Sequence, residues 1–370
     1  MNTELYCQVT GKSYPADDRR WKSESGAPLN LRFRSSLDRQ RLTTRPPTMW
    51  RFREALPIEN DENIVSFQEG YTPLLPFQVE GRPIFLKQEH LFPTGSFKDR
   101  GASVLISRAK ELGVERVVED SSGNAGAAIA AYAAQAGIAC DIYVPDNTSP
   151  AKLAQIELYG ARLHKIPGSR ENTAEAARDA AKDHFYASHV WNPYFFQGTK
   201  TFSFEIWEQL GGQAPDTIIL PAGHGTLLIG AHLGFKDLLS QGLIDRLPRL
   251  VAVQAENCAP LYKMWRDKLT AIPKLSSIGT MAEGIAIAEP TRAKQMLEIL
   301  KETEGEVLVV SEPAIKKALL LACNQGLYIE PTSATVIAAY LLYPFKEGES
   351  VVAPLTGHGL KSTEKMLTLI

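Results

Sequence analysis

The stretch Pro93-Thr94-Gly95-Ser96-Phe97-Lys98-Asp99-Arg100-Gly101 surrounds a lysine with residues that suit covalent chemistry. A primary amine attacks a carbonyl only in its neutral form. A lysine that forms a Schiff base near neutral pH must therefore be partly desolvated. Lys98 stands between Phe97 and the small-residue run Gly101-Ala102-Ser103, which fits a buried nucleophile. On these residues alone the other reading stays open, because a lysine beside an aspartate and an arginine is commonly a solvated ion-pair partner.

Three glycine-rich turns suggest a second chemistry, the holding of anions. They are Ser121-Ser122-Gly123-Asn124-Ala125-Gly126, Pro221-Ala222-Gly223-His224-Gly225-Thr226 and Leu355-Thr356-Gly357-His358-Gly359. Each follows an apolar run, and the first two lead into helical patterns. A helix N-terminus offers free N–H groups and the positive end of the dipole, so it suits phosphate or carboxylate. Gly223, His224, Gly225, Thr226 and Leu227 are a candidate phosphate cradle, in which glycine lets the backbone approach closely. The alternative is a tight strand-to-helix turn that binds nothing. Two nucleotide-binding patterns fail. Leu228 stands where G-x-G-x-x-G needs its last glycine, and Tyr6 stands where a P-loop ending in Gly11-Lys12-Ser13 needs its first.

The elements that must position these residues alternate. Short β-branched runs at 84–87, 116–119, 140–144, 162–166, 183–188, 217–221, 250–254, 307–310 and 350–354 read as strands. Helical patterns at 101–112, 125–136, 151–159, 171–182, 199–210, 227–241, 290–302, 312–323 and 333–343 lie between them. This order predicts an α/β fold with mostly parallel, twisted sheets and right-handed crossovers, with ligands beyond the carboxyl ends of the strands. Residues 1 to about 65 are rich in Arg, Ser and Pro and read as an extension with little regular structure.

The 370 residues are enough for two domains, and a net charge of −2 calls for neither nucleic acid nor an anionic membrane as partner. The four cysteines, Cys7, Cys140, Cys258 and Cys323, form no C-x-x-C pair, which argues against a disulfide framework and against zinc. The N-terminus has no apolar run of the kind found in signal peptides, and the alanine-rich stretch 125–140 is too short to span a bilayer. The expectation is a cytoplasmic protein.

A wider set of motifs adds a resemblance. Glu69-Gly70-Tyr71-Thr72-Pro73-Leu74, the Lys98 stretch, the Asn124 turn, Asn192-Pro193 with Gly198-Thr199-Lys200-Thr201, the Gly223 turn, Glu330-Pro331-Thr332-Ser333-Ala334 and Leu355-Thr356-Gly357-His358-Gly359-Leu360-Lys361 follow one another along nearly the whole chain. In this order they resemble the motifs of the tryptophan-synthase-β-like enzymes that use pyridoxal 5′-phosphate (PLP), known as fold type II. The likeness is strongest to threonine synthases.

The resemblance implies a role for each candidate. Lys98 would carry the cofactor and then move protons at the substrate carbons. Asn124 would bond the cofactor 3′-oxygen, and Ser121, Ser122, Gly123, Asn124 and Ala125 would hold the substrate carboxylate. Gly223, His224, Gly225, Thr226 and Leu227 would hold the cofactor phosphate. Phe97 would pack near the ring, and Thr356 would face the pyridine nitrogen with a neutral hydroxyl. Glu283 and Gly284 are further candidates to line the pocket. The implied architecture has a small mobile domain at 103–205, a large PLP domain from 61–102 and 206–370, and an extension at 1–60. In that extension Cys7-Gln8-Val9-Thr10-Gly11 and Trp21-Lys22-Ser23-Glu24-Ser25-Gly26 look like a zinc-ribbon remnant without metal. A homodimer is implied as well.

Three positions depart from the threonine synthase pattern: Ala125 in place of a hydroxyl residue, Phe195 in place of an arginine, and Leu227 in place of an asparagine. Each removes a donor to a substrate phosphate, at about 1.5–3 kcal/mol per charge-assisted bond. Lys200, Arg170 or Lys152 would have to compensate. On the extent of the resemblance the first reading is a threonine synthase acting on O-phosphohomoserine. The alternative is a serine or threonine ammonia-lyase, or a β-replacement synthase, acting on an unphosphorylated or otherwise activated amino acid. A PLP-binding scaffold without turnover is disfavoured by the intact Lys98, Asn124 and Thr356.

Overall fold

The computed structural model describes residues 3–275, 278–344 and 346–367. The chain divides into two compact units, Met1–Gly70 with Lys98–Thr199 and Tyr71–Phe97 with Lys200–Ile370.

The first unit is built on a parallel sheet in the order Arg162–Ile166, Ala139–Pro145, Arg116–Glu119, Phe185–Tyr186. The helices Lys98–Glu111, Asn124–Ala136 and Pro193–Thr199 bury their faces in its core. Small residues permit close helix packing here. A Cβ on Gly198 would lie 1.9 Å from the Arg100 carbonyl oxygen, and one on Gly101 would lie 2.3 Å from the Phe195 ring.

The N-terminal residues hold more structure than their composition predicts. Glu4–Tyr6 is the centre of a three-stranded antiparallel sheet, flanked by Ser13–Pro15 and Asn30–Arg32. Each strand has three residues and turns one side chain (Leu5, Tyr14 or Leu31) into the core of the first unit. One inward residue per strand gives no alternation to read. Where the ribbon-like motif stands, Ser23 and Ser25 hydroxyls lie 2.9 Å apart. Burial pushes the Cys7 thiol up, but hydrogen bonds with Thr10 and Ser23 outweigh it and bring it down to about 7.

The second unit carries a six-stranded sheet in the order Glu306–Val310, Arg249–Ala255, Thr217–Pro221, Val351–Pro354, Arg82–Lys87, Leu74–Val79. All neighbours are parallel except the last pair. Leu74–Val79 was absent from the expected strands. It contains Pro76, which cannot donate to a ladder and is tolerated because this strand is an edge. The helix expected at 199–210 is Thr201–Gln209 in the second unit, and a further helix that was not expected, Pro193–Thr199, precedes it in the first. The earlier helix is buried at every position, so it shows no helical period. Lys87, at the end of its strand, is fully buried and pairs with the fully buried Glu205 at 2.7 Å. Among the described residues no helix is long and apolar enough to cross a membrane.

Candidate functional site

In the first unit, Lys98 opens the helix Lys98–Glu111, and its Nζ lies 5.7 Å from the centroid of the Phe195 ring. That ring is fully buried and meets His189 edge-on, with centroids 6.0 Å apart. His189 Nδ1 lies 2.6 Å from Glu119 Oε1 at the carboxyl end of the strand Arg116–Glu119. Burial, reinforced by the neighbouring Asp120, holds the Glu119 acid well above the usual carboxylate range, although Lys98 pulls the other way. The amine expected to be the nucleophile thus has an aromatic face and a buried acid–imidazole pair in its surroundings. Sequence reasoning missed that pair; the cue was two consecutive acids, Glu119-Asp120, closing an apolar strand.

The same strand leads into the turn at 121–126. Asn124 is the first residue of the helix Asn124–Ala136, and the residue before it, Gly123, caps the helix without any side-chain hydrogen bond. The turn is tight. The Gly123 N–H donates to Ser121 Oγ at 3.3 Å, and a Cβ on Gly126 would lie 1.9 Å from the Ser121 carbonyl oxygen. Ala125 is buried and brings no polar atom.

In the second unit, three neighbouring parallel strands bring their carboxyl ends together. Thr217–Pro221 leads to Gly223, Val351–Pro354 leads to Thr356, and Arg82–Lys87 leads on toward Phe97. The Phe97 N–H donates to the Thr356 carbonyl at 3.1 Å, and Ser96 bridges to Gly357. Gly225 has φ +79° and caps the helix Thr226–Ser240 without a side-chain hydrogen bond. A Cβ on Gly225 would lie 2.1 Å from Met296 Sδ, and one on Gly223 would lie 3.0 Å from Ile285 Cα. The Thr356 hydroxyl is 3.1 Å from Ser333 Oγ and 3.3 Å from Glu330 Oε1. The Glu330 carboxylate is so close to Gly357 that a Cβ there would lie 2.3 Å from its Cδ. The motif around Glu330 was visible in the sequence, but its contact with Thr356 was not.

The remaining candidates sort by contact. Gly284 donates its N–H to Thr332 Oγ1 at 3.1 Å, and its carbonyl oxygen lies against Gly223. Glu283 pairs with Lys365 at 2.8 Å. Lys200 is buried and pairs with Asp237 at 2.8 Å. Burial pushes the Asp120 acid, beside the Asn124 turn, above the usual carboxylate range; the Tyr186 hydroxyl and Arg170, exposed at the start of the helix Arg170–Ala180, pull the other way. Lys152 is exposed in the helix Pro150–Leu158.

Most of the chain is similar to known proteins. Residues 65–357 match the family described as pyridoxal-phosphate dependent enzyme. A relative named threonine synthase, from Methanocaldococcus jannaschii, is 34% identical over 97% of this chain and 93% of its own. A solved threonine deaminase from T.th. is 27% identical, with a TM-score of 0.66 over 78% of this chain and 92% of that one. Maize serine racemase, 23% identical over 81% of this chain and 93% of its own with a TM-score of 0.68, shares the fold. Most of the chain, including Lys98 and both glycine turns that open helices, lies within the matched span, and the chain belongs to the family of pyridoxal-phosphate dependent enzymes.

Proposed function

We propose that the chain is a lyase acting on a small amino acid, with the reaction of a threonine synthase: O-phosphohomoserine and water giving threonine and phosphate. The observation that carries this reading is the 34% identity, over 97% of the chain, to a relative of that name.

The residues present fit the cofactor. The turn into Thr226–Ser240 passes through a glycine at φ +79° packed on Met296, has no side-chain cap hydrogen bond at Gly225, and forms a helix N-terminus of the kind that suits a phosphate. PLP, when bound, supplies an aldehyde for covalent attachment and a ring that draws electrons from the substrate carbons. Gly223, His224, Gly225, Thr226 and Leu227 would hold its phosphate, Asn124 its 3′-oxygen, and Thr356 its ring nitrogen, with Phe97 beside the ring. Lys98 Nζ would form the attachment, and would take and return protons at the substrate α and β carbons. Ser121, Ser122, Gly123, Asn124 and Ala125 would orient the substrate carboxylate on the N-terminus of Asn124–Ala136. The same reading puts the enzyme in the cytoplasm as a homodimer.

A specific observation favours a second substrate class. Phe195 and Ala125 are buried and apolar, Leu227 is buried, and Lys200 is engaged by Asp237. These positions provide no charged donor for a substrate phosphate, which suits a serine or threonine ammonia-lyase or a β-replacement synthase. Stopped-flow absorbance of the holoenzyme against O-phosphohomoserine, threonine, serine, O-phosphoserine and O-acetylserine separates the readings. Turnover of O-phosphohomoserine to threonine supports the synthase. A spectral response to unphosphorylated amino acids alone refutes it. A Lys98→Ala protein that still retains the cofactor covalently after borohydride reduction would remove Lys98 from its role.

A further inference from the structure

The root of the Asn124 turn is held by residues remote from it in sequence. Asp120, the residue before Ser121, accepts a hydrogen bond from the Tyr186 hydroxyl at 2.8 Å. Tyr186 is 1% exposed and sits on the strand that pairs with Arg116–Glu119, opposite Val118. Its ring is met edge-on by Trp21 of the N-terminal segment, with centroids 5.1 Å apart and planes at 83°. Trp21 is held in turn by Trp191, at 5.0 Å and 84°. Trp21, Tyr186, Trp191 and Val118 belong to one apolar cluster, separate from the main core of that unit. Edge-to-face pairs at this spacing fix ring orientation as well as burying area.

We propose that Trp21 and Tyr186 are positioning residues for the turn at 121–125. The indole clamps the Tyr186 ring, the Tyr186 hydroxyl holds Asp120, and Asp120 sets the start of a turn that has no slack, because Gly126 lies against the Ser121 carbonyl. The N-terminal segment is then a working part of the substrate side of the site. Its effect on substrate rests on the reading that this turn seats the substrate carboxylate. Removing the indole leaves a gap beside Tyr186, and removing the hydroxyl leaves Asp120 without that donor. Either change loosens the first residues of the turn, while Lys98 and the Gly223 turn keep their own contacts.

The test uses the full-length holoenzyme and three variants, Trp21→Ala, Trp21→Phe and Tyr186→Phe. Amide hydrogen exchange of the peptide covering 120–126 is compared with that of the strand Ala139–Pro145, alongside steady-state kinetics on whichever amino acid the substrate panel shows to be turned over. The expected result is exchange at 120–126 faster by about tenfold in Trp21→Ala and Tyr186→Phe, with the strand unchanged. KM should rise about tenfold while kcat stays within about threefold, and Trp21→Phe should recover most of both. Unchanged exchange at 120–126, or an equal rise in the strand, overturns the proposal. Faster exchange in the turn with an unchanged KM upholds the clamp and instead refutes the carboxylate reading.

Discussion

Gly126→Ala sets two effects of opposite sign against each other. Gly126 lies in the helix Asn124–Ala136, where alanine is favoured over glycine by about 1 kcal/mol. The new Cβ would stand 1.9 Å from the Ser121 carbonyl oxygen and 3.3 Å from Ile156 Cδ1. The oxygen is backbone, so no rotamer change relieves the overlap. The turn must open by at least about 1 Å, and overpacking of this kind costs about 1–3 kcal/mol. Set against the helix gain, the net loss of stability is small, about 0–2 kcal/mol. The effect on chemistry is not small, because a displacement of about 1 Å in a positioning element lowers kcat/KM about 100-fold. Chemical denaturation and steady-state kinetics of the holoenzyme measure the two quantities. Gly137→Ala is the control. It ends the same helix at φ +69° with no heavy atom near its missing side chain, so it should lose about 1 kcal/mol of stability and keep its kcat/KM. A Gly126→Ala enzyme more stable than the parent, with kcat/KM within about threefold, would refute the argument that the turn is closed against Ser121.

Lys87→Met should destabilise the second unit by about 3–5 kcal/mol, because it strands the fully buried Glu205 carboxylate; Lys87→Met with Glu205→Leu should recover most of that in the same denaturation assay. Burial, aided by the nearby His358, holds His90 down at about 4. The unfolded chain takes up that proton first, near pH 6.5, so the stability His90 contributes is complete above pH 6.5 and is lost as pH falls toward 4. The loss is about 3 kcal/mol across that window, and denaturation midpoints of His90→Gln should fall less steeply between pH 7 and 4.5 than those of the parent.

Where the candidate residues stand relative to strands and helices was legible, because their motifs are local in sequence. The Lys98 stretch and the glycines at 223 and 225 each follow a strand or precede a helix, and the structure puts them there for the steric reasons the glycines imply. The three-residue strands at the N-terminus, the edge strand with Pro76 and the buried helix Pro193–Thr199 were not legible. Each is too short, too interrupted or too evenly apolar to carry a period.

By itself the sequence determined the α/β alternation and the placing of glycine turns after strands, and it marked Lys98 as a candidate nucleophile, since these rest on periodicity and on residue types within a few positions of one another. Only the tertiary structure decided which distant groups share a neighbourhood: Phe195 beneath Lys98, His189 on Glu119, Glu330 beside Thr356, and Trp21 on Tyr186. Those pairs are set by sheet order and helix packing, which bring together side chains that no local pattern connects.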